Sequence, residues 1–285
     1  MRHCRFRPHY LAAALIVLAT ASCRPKGPKV VPIDAILPDP VPAAPLAHWT
    51  AAPDRIPISV ERSGATLRGW TFEVSPGARR PLTILFFNGN AMDIDDSQPI
   101  YRRISAQGAN LTAFDYRGYG FSSGMPHVMG FREDAVAEYD RLTASGPVVV
   151  YGFSMGTAMA CWVASQRRVA GLILAGTIAS AQEEFPVFAR AQGYSAEEIA
   201  KMVPSPEAIA ALDDANLIRQ SQAPLLMLHG EDDRLVPIQQ GREVFDASPA
   251  VHKSFVSLPA NGHNETVEAS GALLAVRSFL SGFAN

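Results

Sequence analysis

Beyond residue 55 the chain alternates short apolar runs with longer amphipathic stretches. Residues 82–87 are nearly all apolar, as expected of a strand buried on both faces. Residues 110–116, 148–153, 171–175, 225–228 and 254–258 share that character. Helical patterns fall between them, near 97–107, 131–144, 155–167, 238–247 and 265–282. Residues 56–61 and 67–74 read as two strands around Ser63-Gly64, a hairpin signal. The alternation predicts an α/β protein with a mostly parallel sheet of about eight strands, helices on both faces and an antiparallel hairpin at one edge. One interval breaks the rhythm. Residues 178–223 hold no expected strand, only the helical stretches 182–192 and 196–202. A connection this long is usually functional, and a short helical cap is expected there.

The first 55 residues have a different pattern. Arg2, Arg5 and Arg7 precede a ten-residue apolar run at 10–19. A membrane-spanning helix needs about 20 such residues, so residues 1–22 read as a secretory signal peptide. The run ends in Thr20-Ala-Ser-Cys23, which resembles a bacterial lipoprotein processing site, with Thr20 where Leu is commoner. The resemblance implies cleavage before Cys23, a lipid on its thiol and attachment to a membrane of the cell envelope. The alternative is plain secretion, with cleavage near Ala21 and a soluble product. Residues 24–57 hold nine of the 22 prolines. Proline fixes φ and removes an N–H donor, so residues 23–55 are expected to form an extended tether.

Composition narrows the function. The chain has 285 residues, a net charge of −2, 48% hydrophobic and 18% charged residues. This excludes a disordered chain, and no basic excess is present to bind nucleic acid. Three cysteines are too few for a disulfide framework or a cysteine-rich zinc site. No metal is expected, because no paired-histidine spacing occurs. No cofactor is expected either, since Gly118-Tyr-Gly120 lacks the third glycine of a dinucleotide fingerprint.

The candidate chemistry begins at Gly152-Phe-Ser154-Met-Gly156, a G-x-S-x-G phrase directly between an expected strand and an expected helix. Glycines relieve the crowding of a sharp turn, and the helix N-terminus favours negative charge on the Ser154 oxygen. A serine hydroxyl needs a base, and the base needs an orienting acid. Glu231, Asp232 and Asp233 follow one strand end, and Asn261-Gly-His263 follows the last strand. His48 lies in the tether, His127 and His252 in loops, and His229 at a strand end suited to a hydrogen-bonded core residue. Acyl transfer also needs fixed N–H groups for a developing oxyanion. Met155, directly after Ser154, and Asn90, in the Asn88-Gly-Asn90 turn, are the expected donors.

These phrases, with Asp115-Tyr-Arg-Gly-Tyr-Gly-x-Ser-x-Gly124 and His229-Gly-x-x-Asp233, occur in one order. Together they resemble the α/β-hydrolases, specifically small serine hydrolases with a short cap. The resemblance implies that fold over 56–285 and a triad of Ser154, Asp233 (preferred to Asp232) and His263. It also implies a carboxylic ester or thioester as the small-molecule acyl substrate. The family usually has His-Gly where this chain has Asn88-Gly89, and the 115–124 segment is expected to be structural. Two other functions fit the sequence. One is a serine peptidase or amidase, for which Glu183-Glu184 could hold an amine, unless the pair is simply a solvated helix face. The other is a non-catalytic envelope lipoprotein. Phe185, Phe188, Met202 and Val203 could line an apolar pocket or pack on the domain.

Overall fold

Strands in the middle of a parallel sheet must be apolar on both faces, and the apolar runs supply them. The computed structural model describes residues 28–32, 34, 45–74, 82–90, 92–191 and 193–283. The signal peptide and Cys23 lie outside these residues. In chain order the elements are β1 (Lys29–Val31), β2 (Arg55–Arg62), β3 (Ala65–Phe72), β4 (Thr83–Phe87), α1 (Gln98–Ser105), β5 (Asn110–Phe114), α2 (Val128–Thr143), β6 (Val148–Phe153), α3 (Gly156–Gln166) and β7 (Gly171–Ala175). Then follow α4 (Ala181–Ala191), α5 (Ala196–Ile199), β8 (Met202–Pro204), α6 (Pro206–Ala211), α7 (Asp214–Leu217), β9 (Leu225–Gly230), α8 (Ile238–Ala247), β10 (Lys253–Leu258) and α9 (Ser270–Ser281).

The main sheet has eight strands in the order β10-β9-β7-β6-β4-β5-β3-β2. All neighbours are parallel except β3 with β5 and β2 with β3. This is the α/β-hydrolase fold. Alternate side chains of each strand serve opposite cores. Leu85, Phe87, Val148 and Val150 face α2 and α3, through Phe131, Ala135, Ala158 and Met159. Ile84, Phe86, Val149 and Tyr151 face α1 and α9, through Tyr101, Ile104, Ala272 and Val276. The β2–β3 hairpin turns on Ser63-Gly64, where Gly64 takes the left-handed φ of 72° that the turn requires.

β5 ends two residues before its expected limit, because Asp115 leaves the sheet to organise a loop. Its Oδ1 accepts the Ile94 N–H at 2.8 Å and its Oδ2 accepts the Phe121 N–H at 2.8 Å. A Cβ on Gly120 would lie 2.1 Å from that Oδ2, so only glycine fits there. Burial pushes the Asp115 carboxyl up to about 8.

The proline-rich stretch does not all lie free of the fold. β1, inside it, pairs in parallel with β8, matching Lys29 with Met202, Val30 with Val203 and Val31 with Pro204. Asp34 continues the attachment by accepting the Val128 N–H at 3.0 Å. Further on, the Trp49 indole donates to the Gly69 carbonyl at 2.9 Å. Proline lacks only its own N–H, so a strand of Lys29-Val-Val31 flanked by Pro28 and Pro32 loses no ladder donor. β8 is likewise a strand that the helical reading of 196–202 and the strandless reading of 178–223 did not contain.

The insertion between β7 and β9 carries α4 to α7 and is tied down by polar contacts. Arg132 donates to the Ala210 and Ala211 carbonyls, at 2.9 and 3.1 Å. Gln240 of α8 accepts the Ala179 N–H at 3.0 Å and donates to Glu184 Oε2 at 2.9 Å. Glu183 is exposed, but Glu184 is buried, so the two do not form one solvated face. Burial, with Asp233 and Glu183 adding negative charge, pushes the Glu184 carboxyl up to about 7. A carboxyl whose folded-state pKa is raised contributes stability that is present below its unfolded value and lost as pH rises through the folded value. Wild-type stability should therefore fall between about pH 4.5 and 7 through this group. Chemical denaturation of Glu184→Gln, whose amide oxygen can still accept from Gln240, should show that part of the slope removed.

Candidate active site

The parallel strands all end at one rim, and the candidate residues sit in the turns just beyond. Ser154 follows β6 with φ 53°, a left-handed conformation that a side-chain-bearing residue rarely adopts. Such a backbone costs on the order of 1–3 kcal/mol and persists only where its surroundings hold it. Here the Ser154 N–H donates to the Ala175 carbonyl at 2.9 Å. The Ser154 carbonyl accepts the Thr157 N–H at 2.9 Å and the Thr157 hydroxyl at 2.6 Å. The turn is also crowded. A Cβ on Gly152 would lie 2.5 Å from the Gly156 carbonyl oxygen, and one on Gly156 would lie 2.2 Å from that of Phe87. Both glycines are thus required by close backbone approach. The second approach also sets the start of α3 against the end of β4, where the Asn88-Gly89-Asn90 turn begins.

Of the three carboxylates after β9, Glu231 and Asp232 are exposed and Asp233 is buried. Asp233 Oδ1 accepts the N–H groups of Leu235 at 3.0 Å and Val236 at 2.8 Å. Its Oδ2 lies 2.7 Å from His263 Nδ1. A carboxylate accepts, so Nδ1 carries the proton and Nε2 presents a lone pair. That Nε2 is buried and has no hydrogen-bond partner, Ser154 Oγ included. The imidazole lies against Phe153, with ring centroids 5.1 Å apart. It also passes over Gly176, where a Cβ would come within 2.9 Å of Cε1. Neither contact was anticipated from the sequence. The only trace of the second is a glycine directly after an apolar strand.

His229 has the core role expected of it. It is fully buried, and its Nε2 donates to the Val236 carbonyl at 2.8 Å. Burial lowers its pKa, so it stays neutral beside Asp233 and leaves that carboxylate to His263. His127 caps α2 by accepting the Gly130 N–H.

The candidate anion site lies between α3 and the turn after β4. Met155 occupies the N-cap of α3, where backbone N–H groups lack intrahelical partners. Asn90 is partly buried, and its side-chain oxygen has no partner. Asn88, where a histidine is usual, is a clamp. It accepts the Tyr101 hydroxyl at 2.6 Å on its side-chain oxygen and the Tyr116 hydroxyl at 2.8 Å on its carbonyl, and donates to the Phe114 carbonyl at 3.4 Å. The 115–124 loop thus supports the turn from behind, as a structural element. Among the described residues no cluster of three or more His, Cys, Asp or Glu could hold a metal ion.

A strained serine, a histidine with a free basic nitrogen and a buried carboxylate share one rim, with helix-end amides nearby. The same arrangement of chain is found in known proteins. A family model described as the alpha/beta hydrolase fold matches residues 83–203. Protein bem46 of Schizosaccharomyces pombe is 30% identical over 229 residues, 77% of this chain and 74% of that protein. Lysophosphatidylserine lipase ABHD12 of Macaca fascicularis is 31% identical over 190 residues, 59% of this chain and 46% of that one. The structure of a Pyrococcus furiosus esterase superposes with a TM-score of 0.65 at 17% identity, covering 92% of this chain and all of that one. Sheet order, turn geometry and relatives agree, and the chain belongs to the α/β-hydrolase family.

Proposed function

We propose that this protein is a serine hydrolase that cleaves a carboxylic ester or thioester through a Ser154–His263–Asp233 triad. The observation that carries the reading is the 2.7 Å contact from Asp233 to His263 Nδ1, which leaves a buried, unpartnered Nε2 as the base. His263 Nε2 takes the proton from Ser154 Oγ as that oxygen bonds to the substrate carbonyl carbon. The carbonyl oxygen becomes an anion facing the N–H groups of Met155 and Asn90. The imidazolium then protonates the departing alcohol or thiol, leaving an acyl group on Ser154. Water enters, gives a proton to His263 and releases the acid by the reverse steps. The residues about 178–223 serve as the cap that shapes the acyl pocket.

An ester is favoured over a peptide because Glu183 faces solvent while Glu184 turns inward to Gln240, so the two do not form a joint amine clamp. The name of the relative that is a lysophosphatidylserine lipase supports a lipid-type acyl ester. The Arg-rich start, the apolar run and Cys23 support export and a lipid anchor on Cys23.

Ser154→Ala should abolish labelling by a fluorophosphonate probe and lower kcat on p-nitrophenyl esters by about 10⁴-fold or more. Labelling that survives this change would remove Ser154 as the nucleophile. Asp233→Asn should lower kcat by about 10⁴-fold. Asp232→Asn, at the exposed neighbour, should leave kcat near wild type. Steady-state kinetics with thermal melts of all three variants would separate loss of chemistry from loss of fold, and the opposite ranking of the two aspartates would reassign the acid.

A further inference from the structure

The β1–β8 pairing changes how far the folded domain can stand from a lipid on Cys23. With the whole proline-rich stretch extended, the domain would begin more than 30 residues from the anchor. With β1 in place, Lys29 is already part of the fold, hydrogen-bonded to the Lys201 carbonyl at 2.6 Å. Five residues, and so six Cα–Cα steps, separate Cys23 from Lys29. Fully extended, they span at most about 20 Å. A domain of this size is roughly 45 Å across. The link is too short to reach around it, so the anchor determines which side meets the bilayer.

We propose that the β1–β8 edge of the insertion is a docking surface for an anionic lipid bilayer, and that the rim receives its acyl substrate from that bilayer. The inference rests on the hydrolase reading and on the lipid at Cys23. Val30 and Val203 are register partners, and both are exposed, at 57% and 38%. Just after β1, Asp34 meets the first residue of α2, and Met125 and Met129 on either side of that residue are also exposed. Exposed apolar side chains favour the headgroup–acyl boundary over water. On the link to Cys23 charge acts in the same direction, while exposed Glu197 and Glu198 of the adjoining α5 oppose it. Arg24, Lys26 and Lys29 are the charged residues of 24–33, with no acid among them. A basic segment next to a lipid anchor is drawn to anionic headgroups. Val31 and Pro204 line a cavity together with Ala181 and Glu184, and Glu184 is bonded to Gln240 in the first turn of α8, just beyond Asp233, so the docked face and the rim belong to the same side of the sheet. The opposite side carries Val251, 89% exposed, in the loop before β10 at the N-terminal ends of the strands.

The test uses the full chain processed in a bacterial host and reconstituted in phosphatidylglycerol vesicles, with the mass at Cys23 measured. A donor dye is placed at Val203→Cys or at Val251→Cys, and an acceptor is placed on lipid headgroups. Cys161 is buried and stays unlabelled. Energy transfer should be at least twofold stronger from position 203. Equal or reversed transfer, or no association with vesicles, overturns the docking surface. A second variant inserts thirty Gly/Ser residues between Gly27 and Pro28. It should hydrolyse a vesicle-embedded acyl ester at least fivefold more slowly while its turnover of a soluble ester is unchanged. Unchanged turnover of the embedded ester overturns delivery from the bilayer. A chain with the expected transfer that cleaves neither ester keeps the docking surface and refutes the hydrolase reading instead.

Discussion

A single hydrogen bond, from His263 Nδ1 to the Asp233 carboxylate, assigns roles across the rim. It places the imidazole proton on one nitrogen and so leaves the other basic. It also requires that Asp233 be held as an acceptor, which the Leu235 and Val236 amides accomplish. Because the Asp233 side chain is fully buried and that of His263 is only 9% exposed, water competes little for the bond, and the attraction is stronger than at a surface. The neutral His229 on the far side removes a rival for the same oxygen. The chemistry proposed for Ser154 depends on this chain of partners more than on the serine itself, whose hydroxyl is ordinary.

Close backbone approach is the second condition. The nucleophile turn, the end of β4 and the loop before His263 come within contact distance only because glycine stands at 152, 156, 176 and 230. A Cβ on Gly230, for instance, would lie 2.3 Å from the Asn261 carbonyl oxygen. The strain at Ser154 is sustained by bonds to β7 and to α3, so the elbow belongs to the sheet and not to a mobile loop. Asn88 shows how a departure from the usual family residue is absorbed. Two tyrosine hydroxyls and one carbonyl saturate it, and the turn it supports keeps its place.

The segment of β1 and Asp34 ties the N-terminal stretch to the insertion and to α2. Three residues of a proline-rich stretch add a strand to the insertion, and Asp34 accepts the first N–H of α2, the helix that His127 caps. These contacts turn what composition describes as a spacer into part of the surface beside the rim. They also give the position of the link to Cys23 a structural meaning.

Much of the architecture was legible because it follows from local periodicity. Double-faced apolar runs mark parallel strands, amphipathic repeats mark helices, and Gly-x-Ser-x-Gly between the two marks the elbow. His263 and the acidic turn were legible as strand-end residues, although choosing Asp233 over Asp232 needed a family resemblance. In the fold, burial and two amides separate the neighbours. What the sequence could not reveal depends on contacts between distant segments. β1 exists only because β8 is beside it, and Glu184 turns inward only because Gln240 meets it. Gly176 matters only because an imidazole from another strand end lies over it. Local pattern therefore determined most of the elements, though not β1 or β8, and the candidate residues. Tertiary structure alone decided their partners, because a hydrogen bond or a steric contact between remote residues has no periodicity along the chain.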